Sequence, residues 1–304
     1  MRLALVFSGQ GGQRPEHLAR LRREAPADLA PALARSLGGL WQADPADGDA
    51  LAANAIAQPL IFGLQMSQWA RLRPLLPRPV CAAGYSLGEM AAAAAAGAFP
   101  APAGVELCAE RAALMDAATP GPSGMLAVLG LEATTVADIA GRAGLAVAIR
   151  NGPRHLVLAG PADRLDGAEA EALARGASRT VRLAVRTPSH TAVLAAAGEA
   201  FGRRLAEWPD GRLDFPVLSA IDGLPARTRG AAFAALARQI GSALDWEACM
   251  ATLAEMQPDA VLEIGPGNAL CRLLAELAPD LPARACDDFR SLEAAAAWVR
   301  SLER

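Results

Sequence analysis

The strongest chemical feature of the sequence is a serine flanked by glycines, Gly-Tyr-Ser-Leu-Gly at residues 84–88. A short apolar run at residues 79–83 precedes it, and a segment of small residues follows it. This order predicts a strand, a sharp turn and a helix, with Ser86 presented on the turn as a nucleophile. The glycines let strand and helix approach closely, and the helix N-terminus can stabilise a developing oxyanion. The alternative is a chance serine in a glycine-rich loop.

A nucleophilic serine needs a base, and the chain offers three histidines and no lysine. His17 lies beside Glu16 in a charged segment, which favours a solvated surface position. His155 opens a predicted strand and suits a structural role. His190 follows a strand and a turn and begins the next predicted helix, and catalytic side chains commonly project from such ends. His190 is therefore the candidate general base, and a capping or core histidine is the alternative.

The composition excludes several classes of protein. Hydrophobic residues make up 53% and charged residues 20% of the 304 residues, so a large core can form. The net charge is −3, and the 29 cations are all arginines scattered among 32 acids, which predicts no nucleic-acid binding. The apolar run 3–7 is too short for a signal peptide or a membrane span. The five cysteines show no metal-ligand spacing, so we expect no metal, no disulfide and a reducing cytosol.

Apolar runs alternate with amphipathic segments along the chain, which predicts an α/β fold. Residues 3–7 read as a buried strand that ends in a glycine-rich turn. Residues 14–56 read as mostly helical, with a break at residues 44–48. A further helix is predicted over residues 58–72, with Pro59 in its first turn. We therefore expect a hydrolase-like large domain built around a mainly parallel sheet.

The pattern changes near residue 123. Residues 123–188 have the order strand, helix, strand, strand, helix, strand, which is that of a ferredoxin-like unit. Segments that contain proline lie on either side of it and suit hinges. We expect a small ferredoxin-like domain over residues 123–188, inserted into a large α/β domain formed by residues 1–122 and 189–304.

Taken in order, several motifs resemble those of the malonyl-CoA:acyl-carrier-protein transacylases, including the acyltransferase domains of fatty-acid and polyketide synthases. The resemblance covers nearly the whole chain. Its motifs are FSGQG at 7–11, QP at 58–59, GYSLGE at 84–89, Arg111, NGP at 151–153, PSH at 188–190, Gln239 and EIGPG at 263–267. Two further segments are similar to the epsilon (acyltransferase) subunit of biotin-independent malonate decarboxylase: IDG at 221–223 and DDFRSL at 287–292.

The resemblance implies a ping-pong transfer of malonyl from malonyl-CoA to the phosphopantetheine-type thiol of an acyl carrier protein, without a bound cofactor. Ser86 would be the nucleophile and His190 the base, oriented by the backbone carbonyl of Gln239. The backbone N–H groups of Gln10 and Leu87 would form the oxyanion hole. In the decarboxylase, the acceptor would be its small carrier subunit with a CoA-derived prosthetic group.

The resemblance also implies which side chains surround the acyl group. Arg111 would bind the free malonyl carboxylate through two parallel hydrogen bonds. From the residues alone, the alternative is a surface arginine paired with Glu110 or Asp116. The other expected pocket residues are Gln58, Asn151 and Tyr85. The family usually has His at the position of Tyr85 and Pro at the position of Ser8, so the donor preference is open.

Other functions remain open at this point. The carrier is that of malonate decarboxylase or one of fatty-acid or polyketide synthesis. A serine thioesterase or hydrolase would share the strand–turn–helix arrangement around residues 84–88, called the elbow below. No acidic triad partner, however, is evident before His190. Nucleotide binding by residues 9–12 is disfavoured, because Arg14 interrupts the glycine motif. A non-catalytic scaffold is disfavoured by the joint presence of Ser86, His190 and Arg111.

Overall fold

The computed structural model describes residues 1–43 and 48–302 and confirms the α/β fold. Residues 44–47 of the predicted break lie outside the described residues. In chain order the described strands are β1 (Leu3–Phe7), β2 (Cys81–Gly84), β3 (Ser123–Leu129), β4 (Ala146–Gly152), β5 (His155–Pro161), β6 (Arg179–Arg182), β7 (Arg212–Leu218), β8 (Pro225–Thr228), β9 (Leu244–Asp245), β10 (Ala260–Ile264) and β11 (Ala283–Ala285).

The larger sheet has the strand order β11-β10-β1-β2-β7-β8 and is mainly parallel, as expected. All its described pairs are parallel except β7 with β8. Every residue of β1 and β10 is buried, because helices cover both faces of a parallel sheet. The carboxyl ends of β1 and β2 lie side by side, with Phe7 paired with Gly84. The glycine-rich turn after β1 is therefore next to the turn that holds Ser86.

Helices surround this sheet. In chain order the described α-helices are α1 (Pro15–Glu24), α2 (Ala30–Leu37), α3 (Asn54–Leu72), α4 (Gly88–Ala95), α5 (Ala101–Ala118), α6 (Ala133–Ala143), α7 (Ala162–Ala174), α8 (Ala195–Leu205), α9 (Arg229–Gly241), α10 (Trp246–Glu255), α11 (Ala269–Leu277) and α12 (Leu292–Ser301). Helix α3 is buried along most of its length, and α4 is composed mainly of alanine, which lets it pack closely on the sheet. Among the described helices, none has the length and apolar character needed to span a membrane.

The prediction that Pro59 lies in the first turn of its helix is wrong, because α3 begins at Asn54 and Pro59 lies inside it. The physical reason is the anchoring of Asn54. Its side chain accepts a hydrogen bond from Gln10 and donates to Asp116 and Thr187. These long-range contacts stabilise an extra turn that local sequence signals do not indicate.

The smaller sheet has the order β6-β3-β5-β4-β9. Its first four strands come from residues 123–182, which follow the predicted order of elements with α6 and α7 between them. Strand β9 comes from residues 244–245 and pairs in parallel with β4. The small sheet thus recruits a short strand from outside residues 123–188, and the proposed domain boundaries stay a prediction.

Candidate active site

Ser86 lies in a sharp turn between β2 and α4, with a backbone φ of 54°. Left-handed backbone is uncommon for a residue with a side chain, and its cost is met by the surrounding structure. The flanking glycines permit the turn. A Cβ atom at Gly84 would lie 2.1 Å from the amide nitrogen of Glu89, and one at Gly88 would lie 2.0 Å from the carbonyl oxygen of Phe7. The turn is therefore possible only with glycine at both positions.

Replacing Gly88 by Ala should strongly destabilise the protein. The added methyl group would collide with backbone atoms, which cannot move as a flexible side chain can. We therefore expect the free energy of unfolding to fall by about 1–3 kcal/mol. Urea unfolding followed by circular dichroism measures it. Gly121→Ala is the matched control, because no atom lies within 4 Å of its added Cβ. Equal stability of the two variants would contradict this account of the turn.

His190 faces Ser86, the candidate nucleophile. Its Nε2 lies 2.7 Å from Ser86 Oγ, and its Nδ1 lies 2.6 Å from the backbone carbonyl oxygen of Gln239. A carbonyl oxygen only accepts hydrogen bonds, so Nδ1 carries the proton and Nε2 is free to accept the serine proton. The third partner of the dyad is thus a carbonyl rather than a carboxylate, which differs from a serine–histidine–acid triad.

The loop that carries His190 differs from the prediction. His190 does not begin a helix, because a short 3-10 turn over Ala192–Leu194 comes first and α8 starts at Ala195. His190 itself has a φ of 63°, and its N–H donates to the carbonyl of Ile240. This bond and the contact with Gln239 both tie the loop to the end of α9. The candidate base is therefore placed by long-range contacts rather than by a helix start.

Burial lowers the pKa of His190 to about 3, while the bond to Gln239 works in the opposite direction and the charge of Arg111 adds to the lowering. Only a neutral imidazole can take a serine proton, so His190 has the protonation state that a general base needs at neutral pH. We expect kcat/KM for acylation to stay level from about pH 7 to about pH 5, because protonation of the base requires still lower pH. A stopped-flow pH series measures it. A fall with a midpoint near the ordinary histidine value of about 6.5 would contradict this prediction.

One of the expected oxyanion-hole residues lies in the elbow and the other in the turn beside it. Leu87 immediately precedes α4, and Gln10 lies in the turn after β1. That turn contacts the elbow, since a Cβ atom at Gly9 would lie 2.7 Å from the carbonyl oxygen of Tyr85. Within the described part of the chain, the N–H groups of Gln10 and Leu87 donate no hydrogen bond. Both donors are thus available to a developing oxyanion near Ser86.

Arg111 is fully buried in α5, which is unusual for a charged side chain. Its Nη1 donates to Gln58 Oε1 at 2.8 Å and its Nη2 to Gln239 Oε1 at 3.3 Å, whereas its Nε has no partner. Burial lowers its pKa to about 10, so it is still charged at neutral pH. A buried cation held by two neutral amides is incompletely compensated and suits a carboxylate ligand.

The surface alternative for Arg111 is wrong, because its two expected acidic partners are engaged elsewhere. Glu110 forms an ion pair with Arg204, and Asp116 accepts a hydrogen bond from Asn54. Adjacent positions on an α-helix are turned by about 100° from each other, so Glu110 reaches the surface while Arg111 is buried. Gln58, another expected pocket residue, is the partner that holds Arg111 in place.

Tyr85 and Asn151 form a second polar contact beside the elbow. Tyr85 Oη donates to Asn151 Oδ1 at 3.0 Å, and the ring stands edge-on to Trp246 with centroids 5.2 Å apart. Burial raises the pKa of Tyr85, so the phenol keeps its proton. Asn151 lies on β4, and its Nδ2 is 3.3 Å from His155 Nε2. This chain of contacts joins the nucleophile turn to the smaller sheet.

The prediction that His17 is solvated is wrong. His17 is buried in the first turn of α1, where its Nδ1 accepts a hydrogen bond from the backbone N–H of Arg14. The side chain satisfies a donor that the helix start leaves free, and burial lowers its pKa.

Sequence reasoning also missed the contacts of Glu89. A single acid in an alanine-rich helix beside the nucleophile is the signal that could have revealed it.

Comparisons with known proteins show which sequences and structures this chain resembles. The family model described as "Acyl transferase domain" matches residues 5–283. The chain is 32% identical over 287 residues to the polyketide biosynthesis protein ThaF of Burkholderia thailandensis, covering 91% of this chain but only 24% of ThaF. It is 32% identical over 290 residues to the malonyl CoA-acyl carrier protein transacylase of Mycobacterium tuberculosis, covering 93% of this chain and 95% of that protein.

A solved structure described as "PlMCAT:AntF (holo): type II PKS acyl-carrier protein in complex with its malonyl-transacylase" is also similar. It superimposes with a TM-score of 0.88 at 27% sequence identity, over 98% of this chain and 99% of that one. The fold of this chain is therefore that of these enzymes along almost its whole length.

Proposed function

Because the chain belongs to the acyl transferase family, in which the malonyl CoA-acyl carrier protein transacylases are found, we propose that it transfers malonyl from malonyl-CoA to an acyl carrier protein. The family assignment makes it an acyltransferase. The choice of malonyl rests on one observation, the buried guanidinium of Arg111, which is linked to the Ser86–His190 pair through Gln239. A neutral acyl group would leave that cation without an anionic partner.

The first half of the reaction loads Ser86. His190 Nε2 takes the proton of Ser86 Oγ as the oxygen attacks the thioester carbonyl carbon, and the negative charge moves to the carbonyl oxygen. The N–H groups of Gln10 and Leu87 stabilise that oxyanion. When the intermediate collapses, the carbon–sulfur bond breaks and His190 returns its proton to the CoA thiolate. Malonyl is left as an ester on Ser86.

The second half repeats these steps with a carrier protein. His190 takes the proton of the prosthetic-group thiol, whose sulfur attacks the ester carbonyl carbon. The carbon–oxygen bond to Ser86 breaks, and the serine oxygen recovers the proton. The acceptor class is supported by the solved relative that is described as a carrier protein in complex with its malonyl-transacylase. The substrates and the Ser86–His190 pair supply all the reacting groups, so the proposal includes no bound cofactor.

We further propose that the chain is the epsilon (acyltransferase) subunit of biotin-independent malonate decarboxylase, with its carrier subunit as acceptor. The support is the similarity of residues 221–223 and 287–292. In the structure, Asp287 and Asp288 accept hydrogen bonds from Gly267 and Asn268, so this segment holds the loop after β10. The second candidate is an acyl-carrier-protein malonyltransferase of fatty-acid or polyketide synthesis, which the names of the relatives favour.

The experiment that tests both levels is malonyl transfer from labelled malonyl-CoA to two holo carriers. One is a carrier of fatty-acid synthesis and the other is a malonate decarboxylase carrier subunit with its CoA-derived group. We expect label on the decarboxylase carrier and slow loss to water without a carrier. Preference for the fatty-acid carrier would reject the decarboxylase role and keep malonyl transfer. Rapid loss of label to water would instead favour the serine hydrolase.

Replacing Tyr85 by His should leave the fold intact and change the choice of donor or carrier. The imidazole would lose the hydrogen bond to Asn151 and the full edge contact with Trp246, which alters one wall of the site. A lost hydrogen bond is worth about 1 kcal/mol, so we expect a change of roughly fivefold to tenfold in kcat/KM. Tyr85→Phe separates the hydroxyl from the ring. Wild-type kinetics in both variants, with every donor and carrier, would contradict a role in specificity.

We also propose that residues 123–188 act as a small ferredoxin-like domain inserted in the large acyltransferase domain of residues 1–122 and 189–304. The support is a hydrophobic cluster of their own, formed where α6 and α7 pack on their strands.

All five cysteines are buried free thiols, which supports the proposed location in the reducing cytosol.

A further inference from the structure

Glu89 is a buried acid beside the nucleophile to which the reaction described above gives no role. It lies in the first turn of α4 and is 1% exposed, among residues that are otherwise mostly alanine. Its Oε2 accepts two hydrogen bonds, from the backbone N–H of Ala220 at 3.2 Å and from Gln239 Nε2 at 3.1 Å. The carboxyl group therefore ties α4 to the end of β7 and to α9.

Gln239 is the residue where the parts of the site meet. Its backbone carbonyl accepts from His190, and its side-chain Nε2 donates to the carbonyl oxygen of Ser86 at 3.0 Å as well as to Glu89. Its side-chain Oε1 accepts from Arg111 Nη2 at 3.3 Å. One glutamine thus contacts the nucleophile segment, the base and the guanidinium.

The orientation of that amide matters because its two ends differ chemically. If the amide turned by half a rotation, its NH₂ group would face the guanidinium, and two donors would meet. The carbonyl of Ser86 and Oε2 of Glu89 both accept, so together they use both protons of Nε2. The oxygen of the amide is then directed to Arg111.

We propose that Glu89 is a positioning residue, which holds the Gln239 amide so that Arg111 is aligned for a carboxylated acyl group. This inference rests on the proposed malonyl transfer. With Gln239 and Gln58 each accepting from one terminal nitrogen of Arg111, the guanidinium plane is fixed from two sides. Its remaining N–H groups can then meet a carboxylate in the side-by-side geometry that arginine favours.

The electrostatics of Glu89 fit this role. Burial raises the pKa of Glu89 to about 8, and Asp222 adds to the rise, while the hydrogen bonds from Ala220 and Gln239 and the charge of Arg111 oppose it. A largely protonated Glu89 leaves the positive charge of Arg111 available to the substrate at neutral pH. Both hydrogen bonds of the carboxyl group use Oε2, so a proton on Oε1 does not disturb them. Glutamine at position 89 would reproduce this neutral acceptor.

The test compares four variants: Glu89→Gln, Glu89→Met, Gln239→Met and the Met/Met double variant. Gln239→Met removes the amide but keeps the backbone carbonyl that accepts from His190. For each we measure kcat/KM of Ser86 acylation with malonyl-CoA and with acetyl-CoA, by rapid quench and intact mass. The ratio of the two is the readout, because a general loss of packing lowers both rates together. Thermal unfolding shows whether each variant is folded.

We expect Glu89→Gln to keep the wild-type ratio within about threefold. Glu89→Met should lower the ratio by about tenfold, which corresponds to the loss of one hydrogen bond between Arg111 and the malonyl carboxylate. Gln239→Met should lower the ratio to a similar degree. The double variant should lower it no further than the stronger single variant, since both act on one contact.

Three results would overturn the inference: a wild-type ratio in Glu89→Met, a loss in Glu89→Gln as large as in Glu89→Met, or additive losses in the double variant. Should Glu89→Met fail to fold, Gln239→Met with a wild-type ratio also overturns it. Failure of the proposed function is seen separately. In that case the wild-type enzyme itself shows no malonyl adduct or no preference for malonyl over acetyl.

Discussion

Ser86→Ala should leave no acyl-enzyme after incubation with malonyl-CoA, and malonyl transfer should fall by roughly 10⁴-fold or more. The alanine has no oxygen to attack the thioester carbonyl, and among the described residues no other hydroxyl is hydrogen-bonded to His190. The oxyanion donors and the buried arginine remain, so binding of the donor should persist. Intact mass spectrometry gives the adduct, and transfer to a carrier gives the rate.

Ser189→Ala is the matched control for this variant. Ser189 is a buried serine next to the base in sequence, and its side chain is not hydrogen-bonded to His190. We expect the Ser189→Ala variant to form the malonyl adduct on Ser86 as the wild type does. A malonyl adduct that survives in Ser86→Ala would reject Ser86 as the nucleophile, whatever the behaviour of the control.

Arg111→Ala should depress malonyl transfer by roughly 10²–10⁴-fold, about two charge-assisted hydrogen bonds, while acetyl transfer falls much less. The free carboxylate of malonyl would enter a buried site without its cation, whereas an acetyl group has no charge to compensate. Arg111→Lys should recover little of the loss. An ammonium group cannot replace the planar fork that Gln58 and Gln239 hold from two sides.

The measurement is kcat/KM with malonyl-CoA and acetyl-CoA in parallel. Arg204→Ala is the matched control, because Arg204 pairs with Glu110 on the exposed side of the same region and should not change the preference. Equal labelling of the wild-type enzyme by both donors would refute the assignment of Arg111 to the carboxylate.

The parts of the site that could be predicted from the sequence are those set by local chemistry. The elbow at Ser86 needs glycines two positions away on each side. The apolar strand before it and the small residues after it are adjacent in the sequence, so local patterns indicate all of these features. The strands and helices of residues 123–182 were predictable for the same reason, since each has its own period of apolar residues. Motif resemblance added roles for Arg111 and Gln239 that spacing alone does not show.

The parts that could not be predicted depend on residues far apart in the chain. The early start of α3 at Asn54 depends on Asp116 and Thr187, and the burial of His17 depends on how α1 packs. The contact between Glu89 and Gln239 spans 150 positions. Local patterns carry no information on such pairs, because they form only when separate elements meet in the folded chain.

Ser86 and His190 are two of the three non-glycine residues with a positive φ in the described part of the chain. Backbone in this region costs of order 1–3 kcal/mol at each residue, so the proposed reaction centre reduces the stability of the molecule. Selection for turnover and selection for a robust fold therefore oppose each other at these two positions. A descendant that no longer needed the reaction would gain stability by accepting glycine or asparagine there. Substitutions at these two positions that precede substitutions in the core would therefore indicate a relative that has lost acyl transfer and kept the fold.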